Sequence, residues 1–249
     1  MSKKQERTRS KLTTADRNLQ AQIDYFVAEN RTYIASFLIL WGLACYFLMG
    51  VFNKGDVILL FAENRSEFKN TFFLYCTYIG EGYVYLLATI MLLFSGYSRS
   101  FAICVNAVLV LVISQGLKMF FAHERPVRYF SNLLEQPDLP NYIPNVHLLN
   151  GWTTSFPSGH TTSAFAFYSL LAFFIPNKWI KMFCLVCAAL VGVSRMYLVQ
   201  HFLKDVTTGM LTGFLIALVV YWAHEMLSPS ITNKKLHLGS INSSMKGAK

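Results

Sequence analysis

Charge is the scarcest ingredient of this chain. Only 14% of its 249 residues are charged, and 13 acids face 22 lysines and arginines. A soluble domain carries about 25% charged and about 45–50% apolar residues. With 54% apolar residues and a positive mean hydropathy, an ordinary water-soluble domain is excluded. Cysteines are few as well: Cys45, Cys76, Cys104, Cys184 and Cys187, all inside apolar runs. Their number is odd, so no disulfide framework emerges. Cys184 and Cys187 form a Cys-x-x-Cys without flanking histidine or further cysteine. They are read as small packing groups rather than metal or redox ligands. No internal repeat or low-complexity tract stands out.

What the chain does have is long apolar runs, each near the ~20 residues that cross a bilayer core. The reading is an all-α integral membrane bundle of six transmembrane helices. The spans fall at about Thr32–Phe52, Gly82–Ser95 (after a short lead-in helix), Phe101–Phe121, Ser158–Ile175, Trp179–Val199 and Asp205–Met226. The first span follows 31 mostly polar residues, too many for the polar start of a signal peptide. Pro126 is expected to stop or bend the third helix. Residues 1–31 form a basic tail, with a candidate surface helix over Thr14–Ala28. Residues 32–226 form the spanning domain, and residues 227–249 a second basic tail.

The net charge of +9 resides largely in those tails, which argues for topology and a phosphate-rich membrane surface rather than for nucleic acid. Six crossings put both termini on one side. With the tails and the segments near Arg99 and Lys178 inside, that side holds most of the 22 basic residues. Both termini are therefore expected in the cytoplasm. A loop over 122–157 is the longest internal segment outside the spans, and loops of that length are often lids. Leu148, Leu149 and Trp152 could dip it into the interface. Glu81 is read as a water-facing helix end, with a polar vestibule as the alternative.

The same crossing count brings three polar segments to the outer side. The first holds Lys118 and Arg125, about two helical turns apart. Either alone is plainly accounted for as juxtamembrane charge. Together they suit an anion, Arg as a planar fork and Lys as a point charge. His123 and Arg128 read as ordinary loop residues. The second runs from Ser155 to Thr162 and includes Pro157-Ser158-Gly159-His160, which opens a helix. A helix N-terminus exposes amides to an anion, Ser158 can add its hydroxyl, and His160 can donate a proton. A simple N-cap is the plainer account. The third is Ser194 to Asp205. Arg195 adds a cation, and His201 lies four residues before Asp205, one above the other if helical. A carboxylate beneath an imidazole fixes its tautomer. Snorkelling charge is the alternative. Lys204 points elsewhere on the helix. Taken together, His201 is the best nucleophile for phosphorus, His160 the acid, and the cations and amides the phosphate clamp. Acids are too few here for a metal site, so neither metal nor cofactor is expected.

At these residues the sequence resembles the type 2 phosphatidic acid phosphatase superfamily, which includes vanadium haloperoxidases and glucose-6-phosphatase. The resemblance rests on Lys118-x6-Arg125-Pro126, on Pro157-Ser158-Gly159-His160, and on Ser194-Arg195-x5-His201-x3-Asp205. It implies His201 as nucleophile, Asp205 as its orienting partner and His160 as general acid. It implies Lys118, Arg125, Ser158, Gly159 and Arg195 as phosphate ligands, without a metal. The haloperoxidases are soluble, and six spans set this chain apart from them. The expected function is hydrolysis of a lipid phosphate or diphosphate, of the phosphatidic acid, phosphatidylglycerophosphate, undecaprenyl diphosphate or lipid A class, through a phosphohistidine. Transfer of the phosphate group to another lipid or a sugar is one alternative, and a non-catalytic phospholipid-binding protein is another. The expected location is a bacterial inner membrane with the site facing the periplasm. Membrane lipids and a lipid phosphate are the expected partners.

Overall fold

The computed structural model describes residues 14–93, 97–133, 143 and 155–227. Among them the chain is all helical, without a strand. The helices are α1 (Thr14–Gly50), α2 (Asp56–Glu63), α3 (Glu67–Tyr78), α4 (Gly82–Leu93) and α5 (Tyr97–Phe121). They continue with α6 (Pro126–Leu133), α7 (Gly159–Phe174), α8 (Lys178–Tyr197) and α9 (Leu203–Leu227). Four of them, α1, α5, α8 and α9, are long and apolar enough to cross a membrane. The two remaining expected spans correspond to the shorter α4 and α7. The chain is an integral membrane protein.

Helix α7 is the centre of the bundle. Ala164 to Leu170, Ala172 and Phe173 are all buried, so this helix faces protein on every side. Its closest neighbour is α9. A methyl group on Gly213 would collide with the Thr162 carbonyl and the Ala166 amide of α7, and one on Gly209 would lie 2.9 Å from the Ser158 carbonyl. Two small residues one turn apart let the backbones approach, the usual way for membrane helices to gain packing contacts where lipid offers no hydrophobic drive. Helix α1 lies against the same pair. Phe37 stacks on Phe214 at 4.0 Å between ring centroids, the Tyr33 and Ser169 hydroxyls bond at 2.9 Å, and the Trp41 indole donates to the Thr207 carbonyl at 3.2 Å.

Several boundaries differ from those read in the sequence, each for a local reason. Helix α1 begins at Thr14, within the stretch taken as a tail, and buries Phe26 and Asn30. At about 1.5 Å per residue it is about 55 Å long, far more than a ~30 Å hydrocarbon core requires. The polar stretch after α1 holds the unanticipated α2, which starts after the left-handed Gly55 (φ 103°), with the Asn53 amide donating to the Asp56 carboxylate at 2.7 Å. The lead-in helix is α3, with Ser66 as N-cap accepting from the Lys69 amide. Pro126 does not end the third span. That helix stops at Phe121, where Ala122 turns into the left-handed region (φ 48°), and Pro126 instead opens α6, a first-turn position where its missing N–H does no harm. Asn177 caps α8 by accepting from the Trp179 and Ile180 amides. The N-terminal 13 residues, the tail after Leu227 and most of the 122–157 loop, including Leu148, Leu149 and Trp152, lie outside the described residues.

Candidate active site

Three chain segments meet where α5 ends, α7 begins and α8 hands over to α9. The main chain itself ties two of them together: the Ser158 amide donates to the Asp205 carbonyl at 3.0 Å. Ser158 is the N-cap of α7. Its hydroxyl oxygen accepts from the Thr161 hydroxyl at 2.8 Å and from the Thr161 amide at 3.4 Å, which leaves its own proton free to be donated. The first intrahelical donor is the Thr162 amide, to the Ser158 carbonyl at 2.9 Å. The amides of Gly159 and His160 precede it and stand at the positive end of the helix dipole. Gly159 also makes room: a methyl there would lie 3.2 Å from the Lys118 ammonium nitrogen.

The α8–α9 junction is a tight turn. Val199 takes a left-handed conformation (φ 57°), and the Arg195 carbonyl accepts from both the Gln200 and His201 amides. His201 therefore precedes α9 instead of lying on a helix with Asp205, as its spacing had suggested; Asp205 stands in the first turn of α9. The pair still meets, Nδ1 to Oδ2 at 3.4 Å, with both residues only 2% exposed. The same carboxylate oxygen accepts from the Ser155 hydroxyl at 2.5 Å and the Phe202 amide at 3.0 Å. Three donors fix its position. Burial pushes the His201 imidazole down to about 4. The Asp205 carboxylate pulls it the other way, and the Arg195 and Arg125 charges add to the fall. At neutral pH His201 is thus a neutral ring with its proton on the Asp205 side and a lone pair on Nε2.

The cations also converge, though not as helical phase had suggested. Lys118 is on α5, but Arg125 is past the Ala122 turn, so a turn rather than two helical repeats carries it to the site. Arg125 is buried, and its Nη1 donates to the Gln200 carbonyl at 3.3 Å. Arg195 is buried on α8; Nη1 donates to the Thr77 hydroxyl at 2.5 Å. Its Nε is a buried donor with no partner among the described residues. The charges of Arg195, Lys118 and Arg125 all act on the His160 ring, and so does His201. Three cations and a helix N-terminus beside one buried carboxylate, itself occupied with His201, leave an excess of positive charge. Buried charge is stable only when paired, so the arrangement is built for an anion with several oxygens. All eight expected residues come together here.

Four further contributors had no role in the sequence reading, although Glu81 was weighed as a polar vestibule. Ser155 and Gln200 lie within the polar segments but carry no periodic signal. Thr77 stands in the last turn of α3, and Glu81 in the α3–α4 connection. Glu81, read as a water-facing helix end, has Oε1 3.8 Å from His160 Nε2, with its side chain 35% exposed. Lys204 is exposed, its ammonium 5.1 Å from the Phe156 ring, away from the clamp. Arg128 pairs with Glu124 at 3.9 Å. The His123 carbonyl accepts from the Ser155 amide, and its ring packs against Phe156 at 5.1 Å between centroids.

Fold and site together define a helical membrane protein with three cations and a helix N-terminus gathered around a buried histidine–aspartate pair. The sequence profile of the PAP2 superfamily matches residues 99–229, a range that contains all eight expected residues, and the chain belongs to that superfamily. Among characterised relatives it is 36% identical over 90 residues to phosphatidylglycerophosphatase B of Bacillus subtilis, covering 32% of this chain and 43% of that protein. It is 31% identical over 123 residues to lipid A 4'-phosphatase of Porphyromonas gingivalis, covering 47% of this chain and 49% of that protein. The chain thus spans about half the length of these relatives or less. The crystal structure of Aquifex aeolicus LpxE superimposes with a TM-score of 0.57 at 28% identity, over 70% of this chain and 98% of that one. A transmembrane PAP2-type phosphatidylglycerolphosphate phosphatase from Bacillus subtilis gives 0.55 at 23% identity, over 80% and 98%, a likeness of fold.

Proposed function

We propose that this protein is a membrane phosphatase that removes the phosphate group of a lipid phosphate or diphosphate through a phosphohistidine on His201. The observation that carries the reading is the meeting of Lys118, Arg125, Arg195 and the α7 N-terminus around a buried, neutral His201 backed by Asp205. Lipid as substrate is supported by the surroundings: Met119 and Phe120, next to Lys118, are 83% and 80% exposed, so the clamp opens beside apolar surface. The names of the relatives, lipid A 4'-phosphatase and phosphatidylglycerophosphatase B, point to the same substrate class.

The chemistry follows from the positions. Arg125, Arg195, Lys118, the Ser158 hydroxyl and the amides of Gly159 and His160 hold the phosphoryl oxygens. His201 Nε2 forms a bond to phosphorus while the bond to the lipid oxygen breaks, and His160 gives that oxygen a proton. Asp205 balances the positive charge that develops on the His201 ring. In the second half His160 takes a proton from water, the water oxygen attacks phosphorus, and the P–N bond breaks to release phosphate. In a phosphoryl transfer with little covalent work for the protein, such positioning and charge stabilisation supply most of the rate. The clamp cations take the part that a metal plays elsewhere, so no metal is required.

The proposed arrangement in the membrane is six crossings over residues 32–226, with α4 and α7 completing the four long helices. Both termini are in the cytoplasm and the site is on the outer, periplasmic side of an inner membrane. The deciding experiment is phosphate release from a panel of lipid phosphates in detergent micelles with chelator present. Wild-type protein releases phosphate and H201A, inserted at the same level, does not. Release by H201A at the wild-type rate would reject the mechanism, and phosphate passing to an added acceptor alcohol instead of water would make the protein a transferase.

A further inference from the structure

The connection between α3 and α4 is locked onto the site more firmly than a passive turn requires. Three contacts fix it and the helix end that leads into it. In the last turn of α3, Thr77 accepts from Arg195 at 2.5 Å. The Tyr168 hydroxyl of α7 donates to the Ile79 carbonyl at 3.0 Å. Gly80 lies so close to α8 that a methyl there would be 2.6 Å from Val191 Cγ1 and 3.3 Å from the His160 carbonyl. The next residue is Glu81, whose Oε1 is 3.8 Å from His160 Nε2. The turn therefore places a carboxylate beside one particular ring nitrogen of the residue that must donate a proton.

That placement answers a difficulty in the site. The charged groups acting on His160 are Arg195, Lys118 and Arg125, joined by the His201 ring. None of these groups offers His160 a negative charge. The nearest buried acid, Asp205, is committed to His201, Ser155 and Phe202. The Glu81 charge also acts on Tyr83 and on Arg195. A general acid has to carry its proton at the working pH, and an opposite charge within ~4–6 Å favours the charged form. Glu81 is the carboxylate in that range.

We propose that Glu81 is the positioning residue of the general acid: its carboxylate holds protonated His160 through Nε2, leaving the other ring nitrogen to protonate the departing lipid oxygen. The gap of 3.8 Å is an ion-pair distance and closes to a hydrogen bond when the ring is charged, as catalytic contacts tighten once substrate is bound. The proton passes from His160 to the lipid alcohol and is restored from the attacking water in the second half-reaction, so Glu81 itself undergoes no net change. This inference rests on the phosphatase reading above.

The test exploits leaving groups. An alkyl phosphate needs its leaving oxygen protonated, whereas 4-nitrophenyl phosphate releases a stable anion and does not. For E81Q, kcat/KM on dioctanoyl phosphatidic acid is expected to fall by about 10–100-fold, part of the 10²–10⁴ that acid catalysis supplies. On 4-nitrophenyl phosphate the loss is expected to stay within about threefold. The alkaline limb of the pH profile on phosphatidic acid moves to lower pH, and E81D recovers most of the rate. H160A shows the same selectivity between substrates. Equal losses on both substrates with the pH profile in place overturn the proposal, as does a wild-type rate and profile for E81Q on phosphatidic acid. The pH profile decides alone if the wild-type protein ignores the aryl substrate. H201A separates the two levels of the argument: its full activity on phosphatidic acid would remove the phosphatase mechanism itself, whatever Glu81 does.

Discussion

Replacing Asp205 by asparagine keeps the shape of the site and removes one charge. The amide oxygen of the substituted side chain can still accept from the Ser155 hydroxyl, the Phe202 amide and His201 Nδ1, as the carboxylate does. What it cannot do is balance the charge that grows on the imidazole as Nε2 bonds to phosphorus. At the observed separation of 3.4 Å, a full charge pair is worth about 5 kcal/mol with an effective dielectric of about 20. At 1.36 kcal/mol per decade that is a loss of roughly 10³–10⁴ in kcat. The binding clamp is untouched, so KM should change little. Initial rates of phosphate release from a short-chain phosphatidic acid in micelles, with a thermal melt to confirm folding, give the answer. A D205N rate within about tenfold of wild type would show that Asp205 does not stabilise charge on His201, and the assigned pairing would fail.

Further outcomes follow from the same geometry. S155A removes one of three donors to the Asp205 carboxylate, a bond to a charged group worth about 1.5–3 kcal/mol, so kcat should drop by about tenfold or more; an unchanged rate would make Ser155 a bystander. His201 is held neutral down to about 4, so activity that depends on its lone pair should persist below the ordinary histidine value of 6.5 and disappear as pH falls through about 4. An acid limb near 6.5 in the kcat profile would contradict this. The sign for stability is the same: the unfolded ring takes a proton near 6.5 that the buried ring refuses, so stability should decline as pH falls from 6.5 towards 4. G213L forces a side chain into the Thr162 carbonyl and Ala166 amide; overpacking of this kind costs about 1–3 kcal/mol or more, read as a lower melting temperature in detergent. Activity should survive chelator, and restoration by an added divalent metal after its loss would remove the metal-free mechanism.

How much of this was legible in the chain depends on the range of the interaction. The Ser158 cap and the amides behind it are local: a proline, a small polar residue and a glycine before an apolar run can do little else. The long spans were legible because hydrophobic length is a bulk property. Helix α2 was not, since its start rests on the left-handed turn at Gly55 and the bond from Asn53 to Asp56, which composition does not announce. Spacing misled at two places while the site survived. His201 and Asp205 were taken to share a helix, and Lys118 and Arg125 a helical face. The residues meet because of turns at Val199 and Ala122, where non-glycine residues adopt left-handed backbone that no pattern predicts. Pairs such as Thr77 with Arg195, or Glu81 with His160, join segments far apart in sequence. No periodicity connects them, and only the packing of the α3–α4 connection against α7 and α8 reveals them. The start of α1 was hidden for another reason: its first turns are polar and charged, and the packing of Phe26 against Phe173 and Tyr221 extends the helix well below the apolar run.

The most direct test of the account is to catch the phosphoryl group on the enzyme. Protein mixed with a lipid phosphate, quenched within one turnover in alkali, where phosphohistidine survives, and digested for mass spectrometry should carry a phosphoryl group on the peptide containing His201. The same peptide from H201A should carry none, and D205N should accumulate it more slowly. Turnover with no phosphorylated peptide, or with the phosphoryl group on His160, would contradict the assignment of His201 as nucleophile.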